Sequence, residues 1–300
     1  SFEILGLMIL APIFLHLDLL NAAILGTVLA AVSPAVVVPL MLKLMDEGYG
    51  TKEGIPQLIM AGASMDDVYV IVLFTSLLTL AKSGEFNALS LLRIPTSILF
   101  GIISGIVLGY VLCKLYRLLK LSTEIELACM FAVGMALITI ERMMTGAVGF
   151  SGLLAIMAMT SSVQHINPEM ADTYSAVLAK LWQPAEIFLF ALVGASVRID
   201  YAVSFGPVVL IVIILALLFR MLGVYLSVMK TKFNMKEKIF TMIAYIPKAT
   251  VQAAIGGLAL EAGLASGELI LTAAVTVILF TAPLGAIFIS FTYRNFLQKA

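Results

Sequence analysis

Five ionisable side chains interrupt long apolar stretches of this 300-residue chain. Asp66 and Asp67 lie side by side in Ala61-Gly62-Ala63-Ser64-Met65-Asp66-Asp67-Val68, Lys248 lies in Ile246-Pro247-Lys248-Ala249-Thr250-Val251-Gln252, and Glu3 and Arg220 stand alone among apolar neighbours. A charge in hydrocarbon is costly, and it persists where it is paired or where it works. Neighbouring residues on a helix point about 100° apart. One aspartate can therefore face a water-filled cavity while the other faces protein. Two carboxylates so close cannot both ionise cheaply without a cation. A sodium ion or a proton relieves that repulsion, which is the chemistry of a site where the two compete. The alternative is a structural ion pair of an aspartate with Lys248 or Arg220. Glu3 and Arg220, opposite in charge, read as a structural salt bridge, because an arginine that keeps its proton is a poor proton carrier.

The elements that must position these groups are membrane helices. The chain is 62% hydrophobic and 12% charged, with a mean hydropathy of +1.11. A soluble domain is nearer half apolar and a quarter charged, so a water-soluble globule and a disordered chain are both excluded. Eighteen basic and eighteen acidic residues cancel, which argues against a nucleic-acid partner and a polybasic lipid anchor. Cys113 and Cys129 sit in apolar segments and read as small buried hydrophobes. With His16 and His165 they build no metal cluster, and no cofactor is expected. The chain opens at Ser1 inside an apolar run, and we expect the protein to begin further upstream.

About 20 apolar residues cross a bilayer. Spans are expected at 2–17, 19–42, 55–80, 92–113, 122–140, 143–163, 181–197, 202–229, 238–260 and 269–293. The connector 164–180, with Asn167-Pro168-Glu169 as a helix start, reads as an amphipathic helix in the interface. Of the eighteen Lys and Arg residues, twelve fall in loops on the side of the chain ends and four on the other. The positive-inside rule then makes both ends cytoplasmic. Gly101, Gly105 and Gly109 form a small-residue ridge suited to close helix contact.

Depth follows from the helical rise. Asp67 lies ~20 Å from the outer end of its span, Lys248 ~18 Å, Arg220 ~26 Å, Glu3 ~21 Å and Ser33 ~21 Å. Five polar positions from five spans thus converge near one plane. Two of those spans contain breakers: Ala31-Val32-Ser33-Pro34-Ala35-Val36-Val37-Val38-Pro39 in the second, and Pro247 with Gly256-Gly257 in the ninth. Proline removes a donor and frees a carbonyl, and broken helices at mid-membrane suit ion sites. Laying spans one to three beside spans eight to ten sets the two breaks opposite each other, an inverted repeat.

These residues resemble the monovalent cation:proton antiporters, most closely the NHA branch of sodium/proton exchangers. The resemblance rests on the Ala31–Pro39 run, on Asp66-Asp67 and on Pro247-Lys248-Ala249-Thr250-Val251-Gln252-Ala253-Ala254-Ile255-Gly256, and extends to Gly48-Tyr49-Gly50 and Lys236-Glu237-Lys238-Ile239-Phe240. It implies the NhaA-like fold, an all-α polytopic protein of about ten transmembrane helices with two discontinuous crossing helices and further N-terminal helices that this chain lacks. It implies a core (transport) domain from 1–80 and 201–300 and a scaffold or dimer domain over 81–200. It makes Asp67 the main cation and proton ligand, assisted by Asp66 and Ser33. Pro34, Pro247, Thr250 and Gln252 belong to the helix crossing, where Lys248 offsets the carbonyl ends. Glu3 and Arg220 match the intramembrane ion pair of the NHA branch. Better-studied bacterial exchangers carry a lysine at the Arg220 position, paired with the first aspartate, and that pairing is not carried over to Arg220.

The expected activity is exchange of Na⁺ (or Li⁺) for H⁺ in the plasma or inner membrane, one proton per cation, by elevator-type alternating access of a homodimer. The unloaded, doubly charged site would be expensive to move, which couples the two fluxes. Three other readings compete. A sodium-coupled symporter of an organic anion needs polar groups beyond Thr250, Gln252 and Lys248. An intramembrane aspartyl protease needs two aspartates facing each other across a water, which adjacent residues on one span do not easily provide. A channel would show a filter-like repeat.

Overall fold

The computed structural model describes residues 1–83, 88–119, 121–144, 149–195 and 199–299. Lys120 and Arg198, both used in the loop-charge comparison, lie outside the described residues. Helices account for all regular structure among the described residues: α1 (Phe2–Leu15), α2 (Leu19–Ala30), α3 (Pro34–Asp46), α4 (Ile55–Ser83), α5 (Ala88–Leu119), α6 (Thr123–Met143), α7 (Gly152–Ile166), α8 (Pro168–Ala195), α9 (Ile199–Val228), α10 (Met235–Ala244), α11 (Thr250–Gly256), α12 (Leu258–Glu261) and α13 (Gly267–Phe296). Six stretches are long and apolar enough to cross a bilayer, with α2 and α3 taken together as Leu19–Asp46. Of the other four expected spans, α1 has 14 residues and α7 has 15, 181–197 falls in the second half of α8 with 196–197 outside the described residues, and 238–260 is divided among α10, α11 and α12.

One expected element is absent. No separate interfacial helix forms over 164–180, because α8 runs unbroken for 28 residues. The Asn167 side chain accepts the Met170 N–H at its start. No glycine or proline occurs between Glu169 and Gln183, and the run is rich in good helix formers. The mixed polarity of this stretch thus does not stop the helix.

The chain forms two compact units, Ser1–Lys82 with Leu189–Ala300, and Ser83–Phe188. In the first unit, two helices are broken where prolines require it. Pro34 opens α3, a position that suits its fixed φ, and its ring pushes Ser33 before it into extended conformation (ψ 112°). Ala31, at the end of α2, is extended as well (ψ 140°). Between α10 and α11, residues 246–249 are non-helical around Pro247. The breaks meet: the Ser33 N–H donates to the Pro247 carbonyl at 2.8 Å, and Gln252 Nε2 donates to the Ala31 carbonyl at 2.9 Å.

Apolar clusters lie on either side of this crossing. One includes Leu7, Leu25, Phe74, Ile213, Ile255 and Ile270. The other includes Val37, Met41, Ile59, Phe240, Ile289 and Tyr293. Helix α1 packs on α2 and α9, and the fit to α9 depends on missing side chains. A Cβ at Gly6 would stand 2.6 Å from Phe219 Cγ, and one at Gly223 would stand 2.8 Å from Phe2 Cβ. This close approach brings Glu3 of α1 to Arg220 of α9.

In the second unit the Gly101, Gly105 and Gly109 ridge of α5 lies on α7. A Cβ at Gly101 would stand 2.8 Å from the Ser151 carbonyl oxygen, and one at Gly109 would stand 2.6 Å from that of Met159. Gly105 abuts the Ala155 carbonyl still more closely. Glu126 of α6 ties the neighbouring helices together. Its carboxylate accepts from Tyr174 Oη of α8 at 2.7 Å, and its carbonyl accepts from Tyr116 Oη of α5 at 2.9 Å.

Candidate functional site

The site lies wholly in the first unit, where α1, α4, α9 and the two broken helices meet. Glu3 is 2% exposed. Its Oε2 accepts from Arg220 Nη1 at 2.9 Å and from Lys248 Nζ at 2.8 Å. Arg220 Nη2 donates to Asp66 Oδ2 at 2.7 Å, and Nη1 also reaches the Ala30 carbonyl. Asp66 Oδ2 accepts in addition the Val32 N–H at 3.1 Å. Lys248 is fully buried, and its own N–H donates to Thr281 Oγ1 at 3.2 Å. Two carboxylates and two cations thus form one chain of charge, Asp66–Arg220–Glu3–Lys248. Such burial is tolerable only when each charge is paired and hydrogen-bonded.

Each partner is placed by local sequence. Pro34 has no N–H to offer the carbonyl four residues back, which is that of Ala30. Arg220 takes that freed acceptor. The α2–α3 break likewise exposes the Val32 N–H to Asp66 and the Ala31 carbonyl to Gln252. The Tyr245 ring, at the end of α10, lies 5.5 Å from the Arg220 guanidinium carbon, within cation–π range.

Asp67 differs from its neighbour. Among the described ion pairs it takes part in none, and its Oδ1 is buried without a hydrogen-bond partner. Ser33 Oγ and Gln252 Oε1 are buried and unpartnered in the same way, as is Arg220 Nε. Orphaned oxygens are uncommon in a folded interior, and three of them come from the α2–α3 break, α4 and α11. Among the described residues no group of three His, Cys, Asp or Glu side chains assembles. A monovalent cation held by hydroxyl, carboxylate and unwound-backbone oxygens requires none.

A cavity of about 510 Å³ touches Glu3, Asp66 and Arg220, passes Gly62 and Tyr245, and extends to Ser227 and Thr231. Access to the ion network thus runs toward the turn after α9.

The structure therefore gathers Glu3, Asp66, Arg220 and Lys248 into direct contact, with Ser33, Pro247 and Gln252 at the adjoining crossing. Pro34 opens α3, and Thr250 opens α11. One expectation needs correction. Arg220 is not confined to Glu3, since it pairs with Asp66 as well. The cause is geometric: a guanidinium offers donors along two edges and bridges two acids. Sequence reasoning missed Tyr245 and Thr281. It also missed the Ala30 carbonyl, although its position four residues before Pro34 signals it.

Comparison with known proteins agrees with this architecture. The family described as sodium/hydrogen exchanger, transmembrane, matches residues 2–294. Sodium/hydrogen exchanger 9B2 of Homo sapiens is 35% identical over 292 residues, which is 92% of this chain and 53% of that protein. Sodium/hydrogen exchanger 9B1 of Homo sapiens is 36% identical over 278 residues, covering 89% and 53%. The chain spans about half the length of these curated relatives. The solved sodium proton antiporter MjNhaP1 of Methanocaldococcus jannaschii shares the fold, with a TM-score of 0.83, 17% identity, and 99% of this chain and 77% of that chain covered. An all-helical, multi-pass chain with its ion network at two broken helices, matched along nearly its whole length, belongs to the transmembrane sodium/hydrogen exchanger family.

Proposed function

We propose that this chain carries the ion-handling part of a secondary active transporter that exchanges Na⁺ (or Li⁺) for H⁺. The observation that carries this reading is the charge balance at the crossing. Glu3 and Asp66 are matched by Arg220 and Lys248, and Asp67 alone stands without a cation among the described pairs. A proton and a sodium ion each neutralise that one surplus charge, and they exclude each other because they use the same oxygen. The unloaded site then carries one uncompensated charge rather than two. Moving it through hydrocarbon costs about 2.5–3.5 kcal/mol on insertion scales, enough to slow the empty crossing about a hundredfold. One proton per cation follows.

In this reading Asp67 binds the cargo, Ser33 supplies a further oxygen, and Asp66 is held by Arg220 as the fixed wall of the site. Residues 1–80 and 201–300 move as the transport domain against a scaffold built from 81–200, in an elevator-type cycle of a homodimer. Both ends of the segment face the cytoplasm. The cavity that reaches Thr231 is then the cytoplasmic entrance, because the lysines of the turn after α9 lie on that side. The membrane is the plasma or inner membrane.

The test is proton movement evoked by a sodium gradient in proteoliposomes carrying a lumenal pH dye. Wild type exchanges and Asp67→Asn does not, while the variant still folds and melts normally. Undiminished exchange by Asp67→Asn would overturn the assignment. Sodium uptake that needs an organic anion and moves no proton would favour symport instead.

A further inference from the structure

Gln252 is fully buried in the first turn of α11. Its amide orientation is fixed by chemistry, because only the NH₂ group can donate to the Ala31 carbonyl that it touches at 2.9 Å. That bond leaves the other end of the amide, Oε1, buried and without a partner. A bare carbonyl in a membrane interior is costly. A valine or methionine would have filled the space without that cost.

The surroundings say what the carbonyl is for. Ala31 and Val32 are consecutive residues of the extended stretch between α2 and α3. Gln252 holds the carbonyl of the first, and Asp66 accepts the N–H of the second. The next residue, Ser33, is bonded through its N–H to Pro247, while its hydroxyl oxygen is unpartnered. Asp67 follows Asp66, with its own unpartnered oxygen. One orphan oxygen thus belongs to this stretch, that of Ser33, and the other two belong to Gln252, which bonds Ala31, and to Asp67, which follows the aspartate that bonds Val32. All three are electron-pair donors, and no described hydrogen-bond donor is spent on them. An alkali cation is surrounded by several oxygens of this kind, whereas a proton needs only one, that of a carboxylate.

We propose that the side-chain carbonyl of Gln252 is a direct oxygen ligand of the transported cation, completing a set with Asp67 and Ser33 and helping to choose which cation fits. The proposal rests on the exchange reading above and adds a neutral ligand from the second broken helix. Gln252 contributes nothing to proton binding, so its removal separates the two substrates. The amide also braces Ala31, and the experiment must distinguish brace from ligand.

The experiment measures apparent KM for Na⁺ and for Li⁺ at fixed pH, and the proton dependence, in proteoliposomes of the whole exchanger. Wild type and Asp67→Asn are run alongside. Gln252→Met, which keeps length and removes the carbonyl, raises the KM for Na⁺ about tenfold, the loss of one ordinary contact. It also changes the Na⁺/Li⁺ ratio and leaves the proton dependence in place. Gln252→Glu keeps oxygens at the same reach but loses the donor to Ala31, and it lowers the KM for Na⁺. A fall in rate with unchanged KM and unchanged ratio in Gln252→Met would show a brace and overturn the proposal. Where Gln252→Met does not fold, Gln252→Glu decides: a lowered KM supports the ligand, and a wild-type KM overturns it. A silent wild type would overturn the parent reading, and the ligand with it.

Discussion

The two units bury their helix midpoints by opposite means. In Ser1–Lys82 with Leu189–Ala300, two helices are broken and the middle is filled by four charges in one hydrogen-bonded chain. In Ser83–Phe188, α5 and α7 are unbroken and meet through three glycines that let backbone touch backbone. Hydrocarbon offers little force between helices, so both solutions are needed, one polar and one steric. The difference is informative because, among the described residues, the buried side-chain atoms without a partner all lie in the first unit. A glycine ridge is complete as it stands. The ion network has two acids matched by two cations, and beside it an aspartate, a serine and a glutamine whose oxygens have no partner. The complete ridge holds helices together, and the incomplete network is where the proposed cargo would bind.

Breaking the network carries the largest expected loss of stability. Arg220→Ala leaves Asp66 without its cation and Glu3 with Lys248 alone, and Glu3→Gln leaves two buried cations facing a single acid. Each should cost about 3–5 kcal/mol, the usual penalty of an unpaired buried charge, read as a lower melting temperature in detergent. The double variant Glu3→Gln with Lys248→Met should melt above Glu3→Gln alone, because it removes one uncompensated charge. Unchanged melting of both single variants would mean that the network is not structural. Overpacking the ridge comes next. Gly105→Leu forces α5 away from α7 and should cost about 1–3 kcal/mol, while exchange per folded molecule stays near wild type. A variant that folds normally but loses exchange would erase the contrast between the units.

How much of this was legible in the sequence depends on the range of the signal. Asp66 and Asp67 stand out against apolar neighbours, and Pro34 and Pro247 mark the breaks, because both signals are local. The glycine ridge is visible as a four-residue period. The bridging role of Arg220 is not visible, since it depends on how closely α1 approaches α9, and that distance is set by Gly6 and Gly223 meeting Phe219 and Phe2. Matching depths put Glu3 and Arg220 in one plane, but depth carries no azimuth, so an aspartate–Arg220 pair could be named only as an alternative and the turn of Lys248 toward Glu3 is not visible. The start of α8 at Asn167-Pro168-Glu169 is legible, but its continuation is not, because a change in polarity resembles a change in element while nothing between Glu169 and Gln183 stops a helix.

The smallest effect lies away from both midpoints. Asp18 caps α2, accepting the N–H groups of Leu20 and Asn21 at 3.2 Å each. The Asn21 side-chain amide holds its carboxyl below the usual carboxylate range. Asp18→Ala should cost about 1 kcal/mol at neutral pH. A depressed folded-state value means that the contribution is present above the ordinary aspartate range and is lost as pH falls through the folded value. The melting difference between wild type and Asp18→Ala should therefore shrink in acid. A difference that grows in acid would reverse the sign of the interaction.

The central claim is that a cation and a proton take turns on Asp67. The most direct measurement is the apparent KM for Na⁺ across a pH series in proteoliposomes. Strict competition at one carboxylate predicts that acidification raises this KM in proportion to proton concentration while the maximal rate extrapolated to saturating Na⁺ stays constant. A constant KM with a maximal rate that falls in acid would place the proton on a different group and contradict the account.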